Sequence, residues 1–280
     1  MFSLYNLFHI ISIYLMMFTY MKAFLSLRRH TMGIPIAVQL YTLREEMEKD
    51  FAGTLKKVAE LGFDGVELAG YAGVSVTEVK SLLDQFGLQA PSSHVSLEEL
   101  EENLDKVIEE QKILGTQYIV IPYIKPEEQN EERYLSLISF LKQAVVTCKE
   151  QGFTLCYHNH DFELEKLSDG RKALEAIMDD TSISAEFDVY WLTKAGENPA
   201  EWLSRYNGRT PLVHLKDMTL DDEKFFAELG TGGVDMESIL QIGEKQQVKW
   251  WIVEQDVSRR TPLESIEISI NYLKQKFGVK

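Results

Sequence analysis

From Gly33 to the C-terminus the chain alternates between two rhythms of apolar and polar residues. Short, nearly continuous apolar runs are each followed by a longer stretch with apolar residues three and four apart, as in Leu100, Leu104, Val107 and Ile108. The first rhythm predicts strands buried on both faces and the second predicts amphipathic helices. The pair recurs eight times. "IPIAVQL" precedes "FAGTLKKVAELG", "DGVELAG" precedes "SVTEVKSLLDQFG", "LQAPSSHV" precedes "LEELEENLDKVIEEQKILG", and "QYIVIPY" precedes a helix from about Glu131 to Gln151. "FTLCYHN", "ISAEFDVYW", "PLVHLKD" and "VKWWIVEQD" open the remaining four units. Gly62, Gly87, Gly115 and Gly152 stand where helices should close, because glycine enters the left-handed turn that ends a helix without a Cβ clash. Eight such units predict an α/β protein with one (β/α)8 TIM-barrel domain over residues 32–280. An open doubly wound sheet would carry a glycine-rich phosphate turn after its first strand, and "VQLYTLREE" is not one.

Residues 1–31 break the rhythm. "MFSLYNLFHIISIYLMMFTYM" holds no Asp, Glu, Lys or Arg, and Lys22, Arg28 and Arg29 follow it. About 20 apolar residues suffice to span a bilayer, and the trailing cations would put the C-terminal side in the cytoplasm. The stretch lacks the basic start and small-residue cleavage site of a signal peptide. Met32 opens "MGIPIAVQLYTLR" as a cytoplasmic enzyme would. The leader therefore reads as an upstream mis-start, with a membrane anchor as the alternative. The barrel is expected to be cytoplasmic, and membrane-tethered only if the leader is retained.

Composition narrows the partners. The 280 residues carry a formal charge of -15, a field that repels phosphate backbones and speaks against nucleic acid. Cys148 and Cys156 form no CxxC pattern, which fits reduced, buried thiols. A small molecule is the expected partner, and a homo-oligomer is compatible with the sequence.

Barrel chemistry stands where strands end and loops begin. The fifth strand ends in "TLCYHNHDFE", with His158 and His160 two apart and so on one side. The sixth ends in Asp188, the seventh in His214 followed by Lys216 and Asp217, the eighth in Glu254 followed by Asp256. Four successive strands thus present imidazole or carboxylate at one edge, and neighbouring strands lie close enough for such groups to share an ion. An open coordination position would let that ion polarise a substrate oxygen. The competing reading is a set of capping and hydrogen-bonding residues. Glu67 and His94, ending the second and third strands, could each touch a substrate hydroxyl or serve as structural hydrogen-bonders. Lys216 could face an enolate oxygen or form a salt bridge. Trp191 stands beside Asp188 as a candidate substrate platform, whereas Trp202, Trp250 and Trp251 read as packing. "ELGTGG", Glu228 to Gly233, could bind phosphate, but reads better as a turn before Asp235 caps a helix.

"VQLYTLR", "GFDGVEL", "YHNHDFE", "FDVYW", "VHLKD" and "VEQD" resemble the xylose isomerase-like TIM-barrel superfamily from about Gly33 onward, most closely its sugar phosphate isomerase/epimerase group, with inosose dehydratase-like proteins nearby. The resemblance implies one divalent ion held by His158, Asp188, His214 and Glu254. It implies a metal-dependent sugar, keto-sugar or sugar phosphate isomerase or epimerase working through an enediolate, with Glu254 also moving a proton and His160 facing the substrate as acid or base. Sugar epimerases of this kind place a glutamate where this chain has His158. The imidazole makes the site richer in nitrogen and shifts its preference from Mg toward Mn, Co, Fe or Zn. An inosose dehydratase-like or keto-glycoside lyase or hydrolase is the alternative. A non-catalytic sugar-binding barrel and an endonuclease IV-like repair enzyme fit less well.

Overall fold

The computed structural model describes residues 33–276. The expectations for residues 1–31 lie outside the described residues. Strands β1 (Ile36–Gln39), β2 (Gly65–Ala69), β3 (Ser92–His94), β4 (Tyr118–Ile121), β5 (Thr154–His158), β6 (Ser184–Asp188) and β7 (Leu212–Leu215) run parallel. The short β8 (Asp217–Met218) and β9 (Phe226–Ala227) pair with each other as an antiparallel ribbon, and β10 (Trp250–Val253) closes the barrel in the order β1-β10-β7-β6-β5-β4-β3-β2. This is the expected (β/α)8 barrel.

The helices lie where the second rhythm predicts them. Val76–Phe86 and Leu97–Leu114 are capped by the Ser75 and Ser96 hydroxyls at one end and by left-handed Gly87 and Gly115 at the other. The helix of the fourth unit runs Glu131–Glu150. The sixth strand is shorter than its apolar run. Asp188 Oδ1 accepts the backbone N–H groups of Tyr190 and Trp191, which turns "VYW" into the start of the helix Val189–Lys194. A strand-end carboxylate can also cap a helix, and the apolar pattern alone does not reveal that switch.

Each barrel strand presents two faces. Residues such as Val38, Val66, Ile119, Leu155, Phe187, Val213 and Trp251 point outward into the large core beneath the helices. The inward residues Ala37, Tyr118, Val120, Cys156, Leu212, Trp250 and Ile252 form a separate apolar plug. Both cysteines are free and buried, as expected, and Trp202, Trp250 and Trp251 are buried packing residues. A cavity of about 270 Å³ opens at the N-terminal ends of the strands beside Gln89, Pro91, Gln117 and Trp250. It is at the opposite end from the strand-end histidines. Among the described residues no helix is long and apolar enough to cross a membrane.

Candidate metal centre

Two residues beyond the plug, the interior changes character. Ala37, Cys156, Leu212 and Ile252 are followed at the next inward position by Gln39, His158, His214 and Glu254, all buried. Register aligns His158 with Glu186, Asp188 with His214, and Gln39 with Glu67 across neighbouring strands. The four histidines of the described residues converge. Ring centroids lie 4.5 Å apart for His158 and His214, 5.3 Å for His94 and His158, and 5.1 Å for His158 and His160.

The strand-end set comes together as an outer tier. One ligand atom from each of His158, Asp188, His214 and Glu254 lies within 4.8 Å of the other three. Asp188 Oδ2 is buried and sits 3.8 Å from His158 Nε2 and 4.0 Å from His214 Nδ1. His214 Nδ1 is 2.8 Å from Glu254 Oε2. Nitrogen and oxygen donors bonded to a shared ion at about 2.0–2.2 Å must stand at spacings of this order. The donor set therefore fits a divalent ion on geometry and chemistry. Lys216 Nζ reaches the same oxygens, at 3.0 Å from Asp188 Oδ2 and 2.6 Å from Glu254 Oε2, and also contacts Asp256 Oδ2 at 2.8 Å. The salt-bridge alternative for Lys216 is what the geometry shows.

Beneath it lies an inner tier that includes residues not singled out from the sequence. His214 Nε2 is 2.6 Å from Glu67 Oε2 and 3.2 Å from Glu186 Oε2, and His94 Nε2 is 3.1 Å and 2.8 Å from the same two atoms. Gln39 Nε2 donates to Glu67 Oε2 at 2.8 Å. A carboxylate on one imidazole nitrogen fixes the tautomer and leaves the other nitrogen bare for a metal. Glu67 stands so placed on His214, whereas His158 Nδ1 lies 3.3 Å from Glu186 Oε2 without a hydrogen bond. His94, Glu186, His158 and His214 form a second group with metal-binding spacing. It shares both imidazoles with the outer group.

The charges are strongly coupled. Burial raises Asp188 and Glu186 above the usual carboxylate range, with Glu67 adding to the rise of Glu186. Burial acts the same way on Glu254, but Lys216 and His214 outweigh it and hold that carboxyl below its ordinary value. Burial pulls His94 down, yet Glu67 and Glu186 raise it to about 9. His158 is driven low by burial, with His214 and His160 adding to it. Burial and then Lys216 push His160 down to about 3, so its ring stands neutral through the physiological range.

His160 lies just beyond β5, between Phe162, stacked at 5.4 Å, and Trp191 at 5.1 Å, and its Nδ1 is buried without a hydrogen bond. Its loop is pinned by Glu163, which accepts the His160 backbone N–H and the Tyr157 hydroxyl, each at 2.8 Å. Glu163 is fully buried, and that burial raises its carboxyl to about 8.

Glu67 and His94 lie within the histidine network, and Trp191 borders it through His160. Glu186, Gln39 and Glu163 are the additions. Glu186 had a signal, since it precedes Asp188 by two and must face the same way. The glycine-rich loop is a turn. Asp217 accepts the backbone N–H groups of Gly230, Gly232 and Val234, each at 3.0 Å, and a Cβ on Gly232 would meet Asp217 Oδ1 at 2.3 Å. Asp235 caps Met236–Gln246 as expected.

Comparison with known proteins agrees with this architecture. The pattern that defines the xylose isomerase-like TIM barrel family matches residues 55–276. An inosose dehydratase of Clostridium beijerinckii is 26% identical over 271 residues, which cover 82% of this chain and 91% of that protein. A sugar phosphate isomerase/epimerase from Parabacteroides distasonis superposes with a TM-score of 0.76 at 24% identity, covering 89% of this chain and 100% of that one. The IOLI protein, solved with a zinc atom, shares the fold at a TM-score of 0.68 and 15% identity, covering 87% of this chain and 99% of that one.

Proposed function

The chain belongs to the xylose isomerase-like TIM barrel family, and from that premise we propose a divalent-metal-dependent enzyme that removes a proton next to the carbonyl of a sugar or polyol ketone. The observation that carries this reading is the convergence of His158, Asp188, His214 and Glu254 on one point, with His160 alongside. These four would hold the ion, and their two imidazoles favour Mn, Co, Fe or Zn over Mg. When bound, the ion would supply Lewis acidity toward a substrate oxygen.

The remaining roles belong to the chain. Glu67 orients the His214 imidazole by hydrogen bond, and Glu186 faces that of His158. Lys216 fixes the carboxylates of Asp188, Glu254 and Asp256, and its ammonium offers positive charge to an oxyanion. His160 and Glu254 follow different strands, β5 and β10, at the mouth as the groups able to hold or move the substrate proton. Glu163 positions His160 through its backbone. Trp191 flanks the substrate's approach. Return of the proton gives an isomerase or epimerase. Loss of a neighbouring hydroxyl instead gives an inosose dehydratase-like lyase. Two observations favour this second reading: the 26% identical relative, and an imidazole at His158 in place of a second proton-moving carboxylate.

The test is solvent deuterium incorporation by metal-loaded protein into a panel of ketoses and inososes, followed by mass spectrometry. Exchange should occur in at least one substrate and vanish in Asp188→Asn. A product short of one water marks the lyase. Metal-independent exchange, or none across the panel, overturns the proposal.

A further inference from the structure

We propose that the mouth of this barrel takes an uncharged sugar or polyol that carries an aromatic substituent, and is not built for a sugar phosphate. This inference rests on the carbohydrate reading above and names its substrate class.

Three features of the mouth point the same way. The first is a continuous arc of rings. Tyr123 meets His160 at 5.1 Å and Phe162 at 5.6 Å, His160 meets Trp191 at 5.1 Å, and Trp191 meets Phe226 at 6.0 Å, all between centroids. The arc spans the loops from β4 to β9, a wider apolar face than one sugar ring covers. It also holds two buried polar atoms without partners, Trp191 Nε1 and His160 Nδ1, suited to sugar oxygens where the arc meets the metal-capable residues.

The second feature is exposed apolar surface gathered at this end. Leu220 is 84% exposed, and Val257, Tyr41 and Tyr123 are 50%, 46% and 41% exposed. Each lies in a segment that follows a strand: Tyr41 after β1, Tyr123 after β4, Leu220 after β8 and Val257 after β10. Apolar groups clustered around a site mark a surface that a ligand covers.

The third feature is that, among the described residues, the amides and most cations that could receive a phosphate are already taken. Backbone amides after the seventh barrel strand are a common phosphate cradle, but here those of Gly230, Gly232 and Val234 already serve the Asp217 carboxylate. Several cations at the mouth are similarly engaged, although Lys224, exposed in the turn between β8 and β9, makes no ion pair among the described residues. Lys216 is held by three carboxylates, Lys194 pairs with Asp161 and lies over Trp191, and Arg259 pairs with Glu223 and lies over Phe225. Arg44 donates to the carbonyls of Tyr41 and Asp256. A phosphate seated on these four cations would have to break their contacts and sit beside Asp161, Glu254 and Asp256.

Titration calorimetry on the metal-loaded full chain tests this with three forms of one sugar: D-glucose, phenyl β-D-glucoside and D-glucose 6-phosphate, repeated with the galactose trio. The phenyl glycoside should bind about tenfold or more tighter than the free sugar, the scale of one buried ring. The phosphate should bind no tighter than the free sugar. Tyr123→Ser and Leu220→Ser should keep the melting temperature and bring the phenyl-to-free ratio toward one. The proposal is overturned if a phosphate is the tightest of its trio, or if no phenyl glycoside gains over its parent, including the case in which none binds at its solubility limit. It is equally overturned by a dimer that Leu220→Ser dissolves, because the rim is then covered by a second copy. Deuterium exchange is read separately. A ring preference without exchange removes the proposed chemistry and keeps this inference, and exchange without ring preference does the reverse.

Discussion

Leu212 and His214 are neighbours on the inward face of β7, yet they belong to opposite kinds of interior. Leu212 sits in the apolar plug with Ala37, Cys156 and Ile252. His214, one inward position further, is fully buried against Glu67, Glu186 and Glu254. The same barrel wall thus carries a half that is stable because it excludes polar groups and a half whose charges are held by one another. Apolar burial contributes about 25 cal/mol per Å² of area removed from water. Buried ion pairs contribute little net stability, and losing one partner is expensive because it strands the other charge. The lower half is therefore scaffold. The upper half accepts a stability cost in exchange for a preorganised set of donors.

That contrast is open to experiment. Lys216→Met strands the carboxylates of Asp188, Glu254 and Asp256 and should destabilise metal-free protein by about 3–5 kcal/mol in urea titration. The freed oxygens should then bind Mn or Zn more tightly than wild type, so added metal should raise its melting temperature by a larger increment. A smaller increment would mean that Lys216 supports the metal-binding arrangement. Leu212→Ala should cost about 2–5 kcal/mol through the cavity it leaves, and added metal should raise its melting temperature only as much as it raises that of wild type. His160→Gln should leave stability and metal content intact while slowing solvent exchange into substrate by about 10²-fold, the scale of a general acid–base group. Loss of metal content would place His160 among the ligands. The smallest effect is expected at Glu163. Its carboxyl titrates higher in the folded chain, at about 8, than in the unfolded chain. The folded state therefore binds the extra proton between those values, and its contribution to stability declines as pH rises from about 4.5 to 8. Melting temperatures measured across that window should fall less steeply in Glu163→Gln than in wild type.

The arc and the glycine loop show where reading the sequence stops. Tyr123, Phe162, Trp191 and Phe226 come from four segments with no common spacing, so only closure of the barrel assembles them. "ELGTGG" reads better as a turn than as a phosphate cradle, but only the structure shows Asp217 occupying its amides. Glu186 lay within reach of parity from Asp188, but it sits inside an apolar run and reads as strand interior. β6 ends at Asp188 as read from the sequence, but the helical turn over "VYW" shows only in the structure, where Asp188 caps the next helix.

The sequence by itself determined the eightfold alternation, the barrel it closes into, and the strand ends from which His158, Asp188, His214 and Glu254 project. Those features follow from short continuous apolar runs and from a period of about 3.6 residues, which are local and survive in one dimension. Tertiary structure alone decided the two-tier division of the interior, the pairing of Glu67 with His214 across 147 positions of chain, and the engagement of Lys216 by three carboxylates. These depend on which strands become neighbours and on their stagger around the barrel, and the energies that settle them come from charges buried together far apart in sequence.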